Sequence, residues 1–192
     1  MLKIGVLALQ GDVSEHVNAL QKIPERIEVL EVRKPGQMKS CSALVLPGGE
    51  STTIFQQLNS SGLAGELVAA ATSGKPILAT CAGLVLISNE IEGDRHVQPL
   101  GLMDIKVSRN AFGPQRESFE ADLDVEGMDR PYRAVFIRSP AVSEVGRDVQ
   151  VLAKVGGLPV AVREKNLLGL AFHPELTDDM RFHQLFLKML EA

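Results

Sequence analysis

The sequence predicts an α/β fold: a mostly parallel central sheet with helices on both faces and extra antiparallel strands at one edge. Three observations lead there. Short, nearly uninterrupted apolar runs at residues 2–9, 43–46, 76–80 and 167–172 have the composition of strands buried on both faces. Segments of helical periodicity alternate with them, and turn chemistry follows the strands, as in Gln10-Gly11-Asp12 and Pro47-Gly48-Gly49. The stretch 118–163, by contrast, reads as one strand after another, with turns at Gly127, Gly146 and Gly156-Gly157, so this half supplies the antiparallel edge.

Taken in order, the run 2–9 is the first strand. Asp12 or Ser14 can cap the helix after it, in which Val13, Val17 and Leu20 recur at helical spacing until Pro24. Residues 27–32 form a second strand, 33–36 a turn and 43–46 a third strand. Ser51 and Thr52 are placed to cap a helix through Leu58, with 62–65 breaking it before a further helix that ends near Ser73. The strand 76–80 then delivers Cys81, and 82–88 starts a helix. Residues 91–95 are polar and loop-like, 101–107 is a strand, and 109–114 is a turn. Strands are expected at 118–125, 132–137, 149–155, 158–163 and 167–172. Thr177 is expected to cap a last helix with Asp178 and Asp179 in its first turn, where the dipole favours acids. Phe182, Leu185, Phe186, Met189 and Leu190 share one face of that helix and read as core, and His183 as a surface or packing residue. No Pro- or Ser-rich linker divides the chain, so residues 1–192 read as a single domain.

Bulk composition excludes several functions. The 192 residues are 45% hydrophobic and 23% charged, with a net charge of -4, so there is no basic footprint for nucleic acid or anionic lipid. No run approaches the roughly 20 apolar residues of a membrane span. Two cysteines, Cys41 and Cys81, make no disulfide framework and suit a reducing cytoplasm. The histidines His16, His96, His173 and His183 have no metal-ligand spacing with them, so a zinc site is not expected.

The chemistry gathers at the carboxyl ends of the predicted parallel strands, where such sheets collect ligands. Cys81 sits where a buried strand turns into a helix, and helix N-terminal amides favour negative charge on its sulfur. The Gly48-Gly49 pair permits positive φ and close backbone approach, so its N–H groups can be aimed at a substrate oxygen. His173 follows the last apolar strand directly, and Glu175 lies two residues on. A thiol nucleophile, an imidazole to hold and pass its proton, and a carboxylate to fix the imidazole tautomer are the parts of a triad.

These motifs resemble a known family. Cys81-Ala82-Gly83 and the distant His173-Pro174-Glu175 are similar to the triad-bearing glutaminase domain of class I glutamine amidotransferases. Stretches 7–13, 46–53, 80–84, 109–113 and 172–177 resemble, more narrowly, the glutaminase subunits of pyridoxal 5'-phosphate synthase, and the likeness runs from the first strand to the last helix. Ala79 departs from the glycine that many class I enzymes carry there, and Pro114 from an arginine often found in the narrower family.

The resemblance implies a three-layer, flavodoxin-like fold, no cofactor, and hydrolysis of L-glutamine to L-glutamate and ammonia. The ammonia would pass to a synthase partner making pyridoxal 5'-phosphate from ribose 5-phosphate and glyceraldehyde 3-phosphate. It further implies Cys81, His173 and Glu175 as catalytic residues and the backbone N–H groups of Gly49 and Ala82 as the oxyanion hole. Glutamine contacts are implied at Gly48, Gly49, Glu50, Arg109, Ile137 and Arg138. Arg109 or Arg138 is suited to the substrate α-carboxylate, and Glu50 to its α-ammonium. Gln10 is implied to couple partner docking to the oxyanion hole, with the Gly48-Gly49 peptide flipping as the synthase binds. The rival readings are a glutaminase serving a different synthase and a non-catalytic regulatory module on the same fold.

Overall fold

The computed structural model describes residues 1–94, 96–109, 111–113 and 117–191. Asn110 of the 109–113 motif and the Pro114 departure lie outside the described residues. Five strands form the parallel part of a seven-stranded sheet: β1 (Leu2–Leu7), β2 (Ile27–Val32), β3 (Ala43–Leu46), β4 (Ile77–Thr80) and, far along the chain, β12 (Leu167–Leu170). Their spatial order is β12-β4-β3-β1-β2, every neighbouring pair parallel. All four residues of each of β3, β4 and β12 are buried, which requires cover on both faces and explains their uninterrupted apolar composition.

The expected antiparallel edge is present. β10 (Gln150–Val155) and β11 (Leu158–Glu164) extend the sheet beyond β12, each antiparallel to its neighbour. Two smaller sheets stand apart from it. One pairs β5 (Ser88–Ile91), β6 (Met103–Ser108) and β9 (Ala141–Val145), and the other is a hairpin of β7 (Ser118–Leu123) and β8 (Tyr132–Ile137).

The helices are α1 (Val13–Gln21), α2 (Ser51–Ser61), α3 (Leu63–Thr72), α4 (Ala82–Ile87) and α5 (Arg181–Lys188). Gly62 alone, in the left-handed region at φ 77°, ends α2 and admits α3, while Gly65 lies inside α3 and breaks nothing. Gly83 has a different use: a Cβ there would fall 2.3 Å from the Leu46 carbonyl oxygen. The absent side chain is what lets the first turn of α4 settle against the end of β3.

Four local expectations are corrected. Helix α4 stops at Ile87, and Ser88–Ile91 is strand rather than helix end and loop; the Ser88 hydroxyl bonds back to the Val85 carbonyl at 2.8 Å as the chain turns extended. Strand β9, directly after Pro140, was not anticipated. The N-cap of α2 is Glu50, whose carboxylate accepts from Thr52 N–H and Thr53 N–H at 3.0 and 2.7 Å, so Ser51 and Thr52 are already helical. Thr177 does not cap the last helix. It closes a 3-10 turn (Pro174–Leu176), and α5 begins only at Arg181, whose N–H and Nε both donate to Asp179.

An aromatic cluster ties β8, β12 and α5 together. Phe172 packs on Phe136, Phe182 and Tyr132 with ring centroids 5.5, 5.1 and 5.8 Å apart, and the stacked pair Phe119–Phe136 extends it into the hairpin. Because Phe172 immediately precedes His173, this packing fixes where that imidazole begins.

Candidate active site

Cys81 occupies the turn between β4 and α4 at φ 47° and ψ -105°, a conformation L-residues rarely adopt. Its N–H donates to the Leu170 carbonyl of β12 at 2.8 Å, so strand pairing holds the strained residue in place. The residue is 7% exposed, and its Sγ lies 3.9 Å from the Ile137 carbonyl oxygen.

His173 continues from β12 and is anchored through its N–H to the Val135 carbonyl of β8 at 2.9 Å. Its Nδ1 lies 2.7 Å from Glu175 Oε1, and the Glu175 side chain is fully enclosed. A second carboxylate also reaches Nδ1: Asp12 Oδ2 at 3.3 Å. Nε2 has no hydrogen-bond partner among the described residues, which leaves that nitrogen available for proton exchange with the thiol. Burial works against a charge on this imidazole, but Asp12, the Cys81 thiol and Glu175 outweigh it and hold His173 well above its ordinary value. Burial raises Glu175, and the imidazole beside it offsets part of that rise.

A cavity of about 410 Å³ opens over these groups. Its walls include Cys81, Ala82 and His173 together with Gln10, Gly49, Glu50, Arg109, Ile137 and Arg138. Gly48 lies directly beneath: a Cβ there would fall 2.7 Å from His173 Cε1 and 3.2 Å from Cys81 Cβ. The structure therefore brings every predicted site residue to one place, with Glu175 behind the imidazole.

Details of the walls matter for ligand chemistry. Gly49 has φ 150°, and a Cβ on it would meet Gln10 Oε1 at 2.6 Å. Gln10 Oε1 accepts from the Glu50 N–H at 2.7 Å, and the Gly48 carbonyl accepts from the Asp12 N–H at 3.2 Å, so the loop after β1 grips both peptides that flank Gly49. Glu50 is engaged as a helix cap. Burial would raise its carboxyl, but the Thr52 and Thr53 amides and the Thr53 hydroxyl hold it down at about 2. It also lies 3.3 Å from Arg109, which is clasped on its other side by Asp94. Arg138, at φ 43°, is held by its N–H to the Glu117 carbonyl at 2.6 Å.

Sequence reasoning missed three contributors. Asp12 reads in the sequence only as a cap, yet its side chain makes no cap bond and turns to His173 instead. His16, one helical turn later, is completely buried against Thr80 and Glu175. Asp94, in a stretch the sequence presents only as polar loop, pairs with Arg109. The available signal was spacing: Asp12 and His16 stand four apart at the start of a helix that follows the Gln10-Gly11 loop, and so share a face.

A sheet of this topology, with thiol, imidazole and enclosed carboxylate in a row at its carboxyl rim, defines a class: the triad-type glutamine amidotransferases. Similarity to known proteins narrows this. The model of the SNO glutamine amidotransferase family matches residues 6–192, and the chain belongs to that family. It is 59% identical to "Pyridoxal 5'-phosphate synthase subunit PdxT" of Methanothrix thermoacetophila, over 98% of this chain and 100% of that protein. It is 51% identical to the protein of the same name from Natronomonas pharaonis, over 96% and 98%. A solved structure described as a crystal structure of glutamine amidotransferase superposes with a TM-score of 0.91 at 43% identity, over 98% of this chain and 99% of that one.

Proposed function

We propose that the chain, as one glutaminase domain spanning 1–192, hydrolyses L-glutamine to L-glutamate and ammonia. As the glutaminase subunit of pyridoxal 5'-phosphate synthase, it supplies that ammonia to the synthase subunit. The observation that carries the chemistry is the His173 imidazole, held by Nδ1 on enclosed Glu175 with Nε2 free beside a strained cysteine in the same cavity.

Cys81 Sγ attacks the γ-carboxamide carbon, and the carbonyl oxygen becomes an oxyanion held by the N–H groups of Gly49 and Ala82. Each such donor is typically worth roughly 3–4 kcal/mol of barrier. His173 Nε2 gives the thiol's proton to the departing nitrogen, the C–N bond breaks, and ammonia leaves a γ-glutamyl thioester. The same Nε2 then takes a proton from water, hydroxide adds to the thioester carbon, and glutamate departs as the thiol is restored. Glu175 fixes the tautomer and stabilises the imidazolium throughout.

Arg109 or Arg138 pairs the substrate α-carboxylate. The engagement of Glu50 as a helix cap makes it a wall whose outer face meets the α-ammonium. Gln10 and Asp12 hold the peptides flanking Gly49 by one hydrogen bond each, so synthase docking on the β1–α1 loop is the natural trigger for turning the Gly49 donor inward. The setting is the cytoplasm, where Cys81 stays reduced. Among the described residues, no helix is long and apolar enough to cross a membrane.

The experiment is ammonia release from L-glutamine by the chain with and without the synthase subunit, for wild type and Cys81→Ser. Release that depends on Cys81 and rises with the synthase supports the reading. Undiminished release by Cys81→Ser refutes the triad, and equal rates with and without synthase refute the docking trigger.

A further inference from the structure

Behind the cavity the core encloses polar groups that the hydrolysis just described does not use. His16 on α1 and Thr80 at the end of β4 are both 0% exposed. His16 Nε2 lies 3.0 Å from Thr80 Oγ1 and 3.3 Å from Glu175 Oε2. The second approach is an ion-pair distance without hydrogen-bond geometry: among the described residues neither Glu175 Oε2 nor His16 Nδ1 has a hydrogen-bond partner.

Two neutral tautomers compete. With the proton on Nδ1, a buried N–H has no acceptor, and the bare lone pair of Nε2 points at a carboxylate oxygen. With the proton on Nε2, the ring donates to the Thr80 hydroxyl with Oε2 close beside it, and only acceptors are left unpaired, the less severe omission in a protein interior. The second arrangement is therefore favoured. Burial, together with repulsion from His183 and His173, keeps the ring from taking up a second proton near neutrality.

We propose that neutral His16 is a positioning residue of the glutaminase site: its Nε2–H holds Glu175 Oε2 so that Oε1 stays on His173 Nδ1. The inference rests on the triad reading above. Each oxygen of the carboxylate is thereby assigned to one imidazole, 2.7 Å away on the catalytic side and 3.3 Å on the core side. The second contact falls short of a hydrogen bond in the free subunit and is completed when substrate and partner close the site. The groups facing Glu175 are His173 and Asp12 toward the cavity, His16 from α1 with His183 of α5 behind it, and the Tyr132 hydroxyl of β8. Of these, His16 alone offers a donor to Oε2.

Without that donor the buried carboxylate would bind a proton more readily, and a protonated Glu175 no longer stabilises the imidazolium. The test is ammonia release by the complex with the synthase subunit, as kcat and KM across pH, for wild type, His16→Leu, His16→Gln and Cys81→Ser. His16→Leu should lose about tenfold or more in kcat, with KM within roughly twofold, by analogy with the loss of outer partners at other imidazole sites. Its acid limb should move up by roughly half a pH unit or more, since the carboxylate must be ionised to work. His16→Gln places an amide N–H where Nε2 was and should recover most of the rate.

A folded His16→Leu with wild-type kcat and acid limb overturns the proposal, as does a His16→Gln as impaired as His16→Leu. Should thermal melts show that His16→Leu does not fold, His16→Asn, whose amide reaches only the Nδ1 position, takes its place in the comparison. Undiminished release by Cys81→Ser instead rejects the triad reading, a different result from any of these.

Discussion

His183 is a buried imidazole with no hydrogen bond at either ring nitrogen among the described residues, and its replacement by leucine should stabilise the chain, most of all in acid. At neutral pH the substitution removes an enclosed N–H without an acceptor, an omission that costs about 1–3 kcal/mol. In acid a second effect adds to it. Burial pushes the folded-state value down from 6.5 to about 4. The unfolded chain therefore takes up a proton as the pH falls through 6.5, while the folded chain resists until about pH 4. Stability contributed by the neutral ring is complete above the first value and is lost between the two. At about 1.4 kcal/mol per pKa unit the loss is about 2 kcal/mol at pH 5 and about 3 kcal/mol below pH 4. For a chain of this size 1 kcal/mol moves Tm by roughly 2–4 °C. His183→Leu should thus melt about 2–12 °C above wild type at pH 7.5, and the gap should widen by about 4–8 °C at pH 5. His16, whose ring centroid lies 6.2 Å away, is held neutral first by burial and also by repulsion from His183, so the substitution relieves that repulsion as well and adds to the widening in acid. Circular dichroism melts at the two pH values decide the matter. A gap that stays constant or closes on acidification would refute the reasoning.

Two further outcomes follow from the walls of the cavity. Gly49→Ala should abolish synthase-stimulated glutaminase activity while leaving the far-ultraviolet spectrum intact, because its Cβ would sit 2.6 Å from Gln10 Oε1 and 3.0 Å from Gly11 Cα at a φ of 150°; stimulated ammonia release at the wild-type level would contradict it. Asp12→Asn removes one of the groups that hold His173 above its ordinary value, so the imidazolium should lose its proton at lower pH. The alkaline limb of kcat/KM should accordingly move down, and the stabilisation a charged His173 provides below its elevated value should fade at lower pH; an unmoved limb and unmoved melting curves would show that Asp12 does not act on the imidazole.

What was legible in the sequence shared a physical character. The strands β1, β3, β4 and β12 announce themselves because a strand segment covered on both faces is almost wholly apolar, and a continuous buried run of four residues is visible in one dimension. Where that signal was missing, the reading failed: β5 carries Ser88, Asn89 and Glu90, two of them exposed, and a short polar edge strand has no apolar run to mark it. The Thr177 cap failed for a neighbouring reason. Thr177, Asp178 and Asp179 all carry capping chemistry, and only the 3-10 turn after Pro174 and the pairing of Asp179 with Arg181 choose where α5 starts.

The sequence by itself determined the layered sheet, the cysteine at a strand-to-helix turn, and the imidazole with its carboxylate two residues on, because each is written in contiguous residues. Only the tertiary structure decided what surrounds that imidazole. Asp12 and His16 stand more than 150 residues before His173 and Glu175, and they reach the same site because β1 and β12 are strands of one sheet whose carboxyl ends face the same side. Contacts of that kind depend on strand order, and strand order is set by how the whole chain packs rather than by any stretch of it.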